Sequence, residues 1–98
     1  MEEDKRNRYT SILASNLPTL RKARSLSQRE LADMIGVARS TIAAIESKKS
    51  MTWNMFLSVI TVFARHDETK KYMQILGIDI DGIDEFLSGN TVNEVDNG

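Results

Sequence analysis

The chain has 98 residues, enough for one small domain, and 41% of them are hydrophobic. It contains no cysteine, which excludes disulfides, thiolate zinc sites and cysteine nucleophiles. No apolar run reaches the roughly 18 residues that cross a bilayer, and the charged N-terminus lacks the apolar core of a signal peptide. These features predict a soluble, cytoplasmic protein with no membrane partner.

The formal net charge is only −1, but the charges are unevenly distributed along the chain. Residues 5–49 carry ten Lys or Arg against three acidic residues, whereas residues 50–98 carry three against eight. A polyanionic partner responds to the local field rather than to the net charge, so the first half is the candidate surface for nucleic acid. Uneven charge also arises by chance in small domains, so this observation needs support from the motifs.

Residues 1–8 mix acidic and basic side chains without an apolar anchor, which predicts a flexible arm over residues 1–9. The basic residues in this arm are Lys5, Arg6 and Arg8. Basic arms reach phosphates or the minor groove in some proteins, although a solvated tail is the more common outcome.

A helical stripe follows the arm, because Leu13, Leu17 and Leu20 recur at helical spacing. Pro18 interrupts this stripe, since proline lacks a backbone donor and clashes with the carbonyl four residues earlier. We therefore expect the main first helix to begin near Asn16, with Pro18 in its first turn and residues 9–15 forming a separate turn or short helix.

The next stretch predicts two short helices joined by a sharp turn. Ser27 and Glu30 form the pattern of a capping box, which starts a helix over residues 28–35. Gly36 then ends that helix in the left-handed conformation, and a third helix follows over residues 39–47. A single helix running through Gly36 is the alternative, but it divides the following apolar residues between two faces.

Two more helices are predicted before the chain becomes acidic. Thr52 is a suitable N-cap for a helix with a wide apolar face that belongs in the core. The apolar residues of that face are Trp53, Phe56, Leu57, Ile60 and Phe63. A shorter amphipathic helix over residues 68–76 is closed by Gly77, so we take residues 10–77 as the main domain.

Residues 78–98 form an acidic C-terminal extension with a possible short helix near residues 82–88 and a disordered end. Its apolar side chains have no evident role in the main domain, which makes them candidates for contact with a second copy or another partner. They are Ile80, Ile83, Phe86 and Leu87.

The sequence shows little sign of a catalytic or metal-binding site. His66 is the only histidine, and the acidic residues near Gly82 do not match the spacing of a calcium-binding loop. No nucleophile and base are arranged as in a catalytic triad. The sequence therefore predicts no enzyme activity, no metal site and no cofactor.

Residues 17–64 resemble the helix-turn-helix domain of the Cro/C1-type (Xre-family) repressors of bacteria, phages and plasmids. The matching segments are Leu20-Arg21, LSQRELA over residues 26–32, IGVARSTI over residues 35–42, and Ile45-Glu46. The resemblance implies an all-α protein, a compact four- to five-helix bundle of the lambda-repressor-like type with a short C-terminal extension. It also implies dimers on a partly symmetric DNA operator.

The same resemblance implies roles for residues of the second and third helices. The positions that face DNA bases are Arg39, Ser40, Thr41 and Ala44. The positions that approach phosphates are Gln28, Arg29, Lys48 and Lys49. Arginine at position 39 suits the O6 and N7 acceptors of guanine, whereas Ala44 offers only a methyl contact. Relatives often carry a longer polar residue where this chain has Ala43 and Ala44, and a glycine in the following loop, where this chain has Lys48-Lys49.

Arg21 and Glu46 match a family pair that bridges the first and third helices. A half-buried charge without a partner is costly, so we expect the two side chains to form an ion pair. The alternative is that both side chains face solvent.

Two functions are compatible with these features. The first is a sequence-specific transcriptional regulator, which the resemblance suggests is a repressor. It would bind as a dimer, and each subunit would insert residues 39–46 into the major groove of a half-site, with the half-sites roughly 34 Å apart. The second is an antitoxin-type or similar regulator whose main role is to bind a protein partner, such as a toxin or anti-repressor, through its C-terminal segment.

Overall fold

A computed structural model describes residues 2–87, and within this range the chain forms helices and no strand. The helices are α1 (Glu3–Ala23), α2 (Gln28–Ile35), α3 (Arg39–Lys48), α4 (Trp53–Phe63), α5 (Asp67–Ile75) and α6 (residues 80–87). This architecture confirms the predicted all-α class. None of the helices described is long and apolar enough to span a membrane.

Helix α1 is continuous through Pro18, so the predicted helix start near Asn16 is wrong. The helix buries Tyr9 and Leu13 before the proline and Leu20 after it. Burying a large apolar side chain contributes about 1.5–3 kcal/mol, so these side chains together outweigh the roughly 3 kcal/mol that an interior proline costs. The buried stripe therefore sets the extent of this helix.

Residues 3–9 belong to α1 rather than to a flexible arm. The Arg6 guanidinium lies 5.1 Å from the centre of the Trp53 ring, and the Lys5 ammonium lies 5.8 Å from the centre of the Tyr9 ring. Both contacts are cation–π interactions. Trp53 is distant in the sequence, so the first residues alone do not reveal the contact with Arg6.

The capping box at the start of α2 is confirmed. The backbone N–H of Glu30 donates to Ser27 Oγ at 2.9 Å, and the backbone N–H of Ser27 donates to Glu30 Oε1 at 2.9 Å. Gly36 ends α2 with a φ of 77°, and apart from its two chain neighbours no described residue has an atom within 4 Å of where its Cβ would be. The backbone conformation, rather than a close contact, is therefore what favours glycine in this turn.

Helix α4 supplies much of the core, as its wide apolar face predicts. Phe56, Val59 and Phe63 are fully buried, and the Trp53 ring stacks on Phe56 with ring centres 4.7 Å apart. The same core takes Leu31 from α2 and Ile42 from α3, both fully buried. The angle between α2 and α3 is thus fixed by side chains that pack against one centre.

The first residues of the C-terminal extension are part of this core. Ile78, Ile80 and Ile83 are 0%, 7% and 2% exposed, and the backbone N–H of Asp79 donates to the Tyr9 hydroxyl at 3.4 Å. Ile80 and Ile83, expected to contact a partner, therefore lie inside this chain's own fold. Of the extension, the segment over residues 88–98, expected to be disordered, lies outside the described residues.

Candidate functional site

The N-terminal half of α3 faces outward. Arg39 and Ser40 are exposed, and Thr41 and Ala44 are half-buried. On the opposite side of the helix, Ile42 and Ile45 are buried in the core. The four positions predicted to contact bases therefore remain accessible while the buried side holds the helix in place.

Cationic side chains flank this face of α3. Arg29, at the start of α2, and Lys48 and Lys49, at the end of α3, are exposed. Within residues 2–87 the ion pairs are Arg21 with Glu46 and Lys70 with Asp81, so these three cations and Arg39 keep their charge uncompensated by a salt bridge. An exposed helix face bordered by such charges attracts a polyanion.

Lys48 and Lys49 replace the glycine common in related loops, and the backbone adapts to them. Lys49 follows α3 with a φ of 56° and a ψ of 42°, the left-handed conformation that glycine usually supplies. A residue with a side chain in this conformation carries backbone strain of about 1–2 kcal/mol.

Arg21 and Glu46 form a bidentate ion pair. Arg21 Nε and Nη2 donate to Glu46 Oε2 and Oε1 at 2.5 and 2.9 Å, and Nη1 donates to the Leu26 carbonyl at 2.9 Å. The two side chains are only 12% and 9% exposed. The pair joins α1, the connector before α2, and α3.

The environment of Glu46 shifts its pKa. Burial raises the pKa of this carboxyl, but hydrogen bonds from Arg21 and Gln28, together with the Arg21 charge, outweigh that effect and hold the pKa below its usual value. Glu46 is therefore ionised at neutral pH, which the bidentate pair requires.

Two further hydrogen bonds extend from this pair to the surface. Gln28 Nε2 donates to Glu46 Oε1 at 3.0 Å, and Arg39 Nη1 donates to Gln28 Oε1 at 2.8 Å. We refer to Arg21, Glu46, Gln28 and Arg39 as the polar chain. Sequence reasoning named each member but missed the two links through Gln28, because they depend on how α2 packs against α3.

A second feature lies on another part of the surface. A groove of about 390 Å³ runs between α4 and α6, and its apolar lining includes Leu57, Ile60, Ile80 and Ile83. Near the C-terminal end of α6, Phe86 and Leu87 are 38% and 40% exposed. Of the four residues predicted to contact a partner, these two are the accessible ones.

A metal site has no support in the described part of the chain. Within residues 2–87 no three His, Asp or Glu side chains come close enough together to hold a metal ion, and His66 is exposed.

Comparison with protein families identifies a helix-turn-helix match. A family model described as a helix-turn-helix domain matches residues 14–92, which is more than half of the chain. Comparisons with curated proteins and with solved structures give no match. The matched segment contains α2, α3 and every member of the polar chain.

Proposed function

Because the chain belongs to the helix-turn-helix domain family, we propose that it is a sequence-specific DNA-binding regulator of transcription, a repressor, that acts in the cytoplasm. The observation that carries this proposal is the exposed N-terminal face of α3, bordered by cations that no salt bridge among residues 2–87 neutralises. In this fold the second helix of the motif lies in the major groove.

Base recognition depends on the first turns of α3. Arg39 is the principal reader, because its guanidinium matches the O6 and N7 acceptors of guanine. Ser40 and Thr41 contribute hydroxyls that serve either bases or phosphates, and Ala44 contributes a methyl group that suits thymine.

Phosphate contacts position this reader. Gln28 and Arg29 occupy the N-terminus of α2, where free backbone amides and the helix dipole favour an anion. Lys48 and Lys49 approach the backbone from the other end of α3. Such contacts set the register of the protein on the duplex without carrying sequence information.

The protein binds its operator as a dimer in this proposal. One module of this size contacts few bases, so two copies on half-sites one helical turn apart supply the affinity and symmetry that operators require. Among the described residues of the extension, Phe86 and Leu87 are the exposed large apolar side chains, and we assign the dimer contact to the surface that they form beside the α4–α6 groove.

A protein partner is the second candidate for the same surface. The exposed apolar side chains of α6 and the adjacent groove favour it. In that case the protein acts as an antitoxin-type regulator that restrains a toxin or binds an anti-repressor, and DNA binding serves autoregulation.

Selection from a random pool of duplex DNA tests the proposed function. We expect the wild type to enrich a palindromic motif and Arg39→Ala to lose it. Lys71→Ala is the matched control, because Lys71 is an exposed cation on α5, outside the α3 face. If the wild type enriches no motif and binds DNA with an affinity that depends only on salt, the protein is a nonspecific phosphate binder and the proposal is wrong.

Phe86→Asp separates the two candidate uses of the α6 surface. Sedimentation of the purified variant as a monomer, with the wild type sedimenting as a dimer, supports the dimer contact. An unchanged dimer that no longer binds a toxin encoded beside its gene supports the protein partner.

A further inference from the structure

A hollow of about 560 Å³ lies beside the outward face of α3. One wall is α3 itself, through Thr41, Ala44 and Lys48, which share one side of the helix because they are three and four positions apart. The other wall is the start of α4 and the residue before its cap, through Met55 and Met51. The hollow is therefore continuous with the surface that we assign to DNA bases.

The lining of this hollow changes from polar at its border to apolar within. Ser40, Lys48 and Ser50 border it and are exposed, whereas Met51 and Met55 are half-buried and pack against the core. Because an alanine side chain is a single methyl group, position 44 leaves the space open. A longer side chain at this position would occupy it.

Met55 is fixed in this place by the start of α4. Its backbone N–H donates to the Oγ1 of Thr52, the N-cap, at 3.1 Å. Its thioether side chain lines the hollow, and methionine is unbranched and polarisable, so it packs well against irregular apolar groups.

The chemistry of the lining selects among the groups that DNA presents. A phosphate needs hydrogen-bond donors or cations, which the exposed border supplies and the methionines do not. The apolar group that a base presents in the major groove is the C5 methyl of thymine. Lys48 has no ion pair within residues 2–87, so its charge suits the backbone of the strand that carries such a base.

We propose that this hollow holds the C5 methyl group of a thymine, and that Met55 is a specificity-determining residue outside α2 and α3. This inference rests on the proposed function and extends base reading from α3 to the first turn of α4. Ala44 contacts the methyl group from one side, and Met55 covers it from the other. A deoxyribose of the backbone is the competing occupant, and its fit does not depend on the base.

Replacing thymine by deoxyuridine tests this inference, because deoxyuridine pairs with adenine in the same way but lacks the C5 methyl group. Each thymine of the operator selected by the wild type is replaced in turn, together with its symmetry mate in the other half-site. We expect one such replacement to weaken wild-type binding about fifteenfold, which is about fourfold for each buried methyl group. Met55→Ala should reduce this loss to within about fourfold, because Ala44 alone then contacts the methyl group.

Three further variants separate the apolar contact from other effects of substitution. Met34→Ala is the matched control, since Met34 is 46% exposed on α2 and does not line the hollow, and it should show the wild-type loss. Met55→Gln keeps nearly the same length but places a polar amide against the methyl group, so it should behave like Met55→Ala. Met55→Leu keeps an apolar side chain of similar volume and should retain the wild-type loss.

Each other outcome contradicts the inference. If the wild type responds to none of the replacements, the hollow holds the sugar of the backbone. If Met55→Ala and Met55→Gln lose as much affinity as the wild type, α3 alone reads the methyl group. Should Met55→Ala fail to fold by circular dichroism, the comparison of Met55→Gln with Met55→Leu decides.

The same experiment distinguishes failure of this inference from failure of the proposed function. Absence of a selected motif for the wild type overturns both. A selected motif whose recognition does not depend on a thymine methyl group overturns this inference alone.

Discussion

Glu46 is the residue on which the fold and the candidate site both depend. Its carboxylate accepts from Arg21 Nε, Arg21 Nη2 and Gln28 Nε2. Removing it leaves the Arg21 charge nearly buried without a partner and detaches Gln28 from the interior. A change at this position therefore alters stability and, in our proposal, recognition.

We expect Glu46→Ala to lower the free energy of unfolding by about 3 kcal/mol, because breaking a buried pair leaves an uncompensated charge. Urea denaturation followed by circular dichroism measures this change. Glu68→Ala is the control, since Glu68 is exposed on α5, and it should change the free energy by less than about 0.5 kcal/mol. Equal effects of the two substitutions would show that the ion pair contributes nothing to stability.

The lowered pKa of Glu46 predicts how stability depends on pH. Its pKa in the folded protein lies below the usual value of 4.5, so the stabilisation is present above that value and is lost as the pH falls through the folded pKa. Glu46→Gln should therefore lose less free energy of unfolding than the wild type between about pH 6 and pH 3.

Glu30 also contributes to the pH dependence of stability at acid pH. It is present in both the wild type and Glu46→Gln, so its contribution is the same in the two proteins. Hydrogen bonds with the Ser27 backbone and side chain lower the pKa of the Glu30 carboxyl as well. A Glu46→Gln variant with the same pH profile as the wild type would show that Glu46 titrates identically in the folded and unfolded states.

At the scale of helices, local signals predicted α2, the start of α3 and the start of α4. The Ser27 cap, Gly36 and the Thr52 cap act within a few residues of their positions, so the sequence alone reveals them. The extent of α1 was not predictable in this way. In its N-terminal turns Arg6 lies over the Trp53 ring, and such a contact is visible only once the helices are packed.

Gly36 and Lys49, the left-handed residues that follow α2 and α3, give a paired prediction. Gly36→Ala should lower the free energy of unfolding by about 1–2 kcal/mol, because alanine resists a positive φ, although the space around it is open. Lys49→Gly should raise it by about 1 kcal/mol, because Lys49 already has a φ of 56°.

Urea midpoints of the variants test both substitutions. Lys49→Ala separates backbone strain from the loss of the lysine side chain, and it should leave the midpoint unchanged. A gain for Lys49→Ala equal to that for Lys49→Gly would assign the effect to the removed charge rather than to the backbone.

At the scale of the whole molecule, the extension completes the domain rather than following it. Ile78, Ile80 and Ile83 pack into the same core as Tyr9 and Phe56. The sequence placed these isoleucines outside the main domain because acidic residues surround them. It predicted that Ile80 and Ile83 contact a partner. The mixed pattern of apolar and acidic residues does not by itself reveal which side of α6 is buried. That side is defined only by the packing of α6 against α1.

Two isoleucines test this assignment. Ile83→Ala should lower the free energy of unfolding by about 3 kcal/mol, because Ile83 is 2% exposed and its removal leaves a cavity. Ile75→Ala should change it by less than about 0.5 kcal/mol, because Ile75 is 81% exposed. Small effects of both substitutions, measured by thermal denaturation, would mean that α6 does not stabilise the domain.

The hydrogen bond between Tyr9 and Asp79 also bears on the order in which the protein assembles. The two residues are 70 positions apart, whereas α2 and α3 follow each other directly in the chain. Closing a long loop costs more entropy and takes longer than pairing neighbouring helices. During synthesis residues 28–48 leave the ribosome before residue 79, so Tyr9 acquires its last buried neighbours only after Asp79 has emerged.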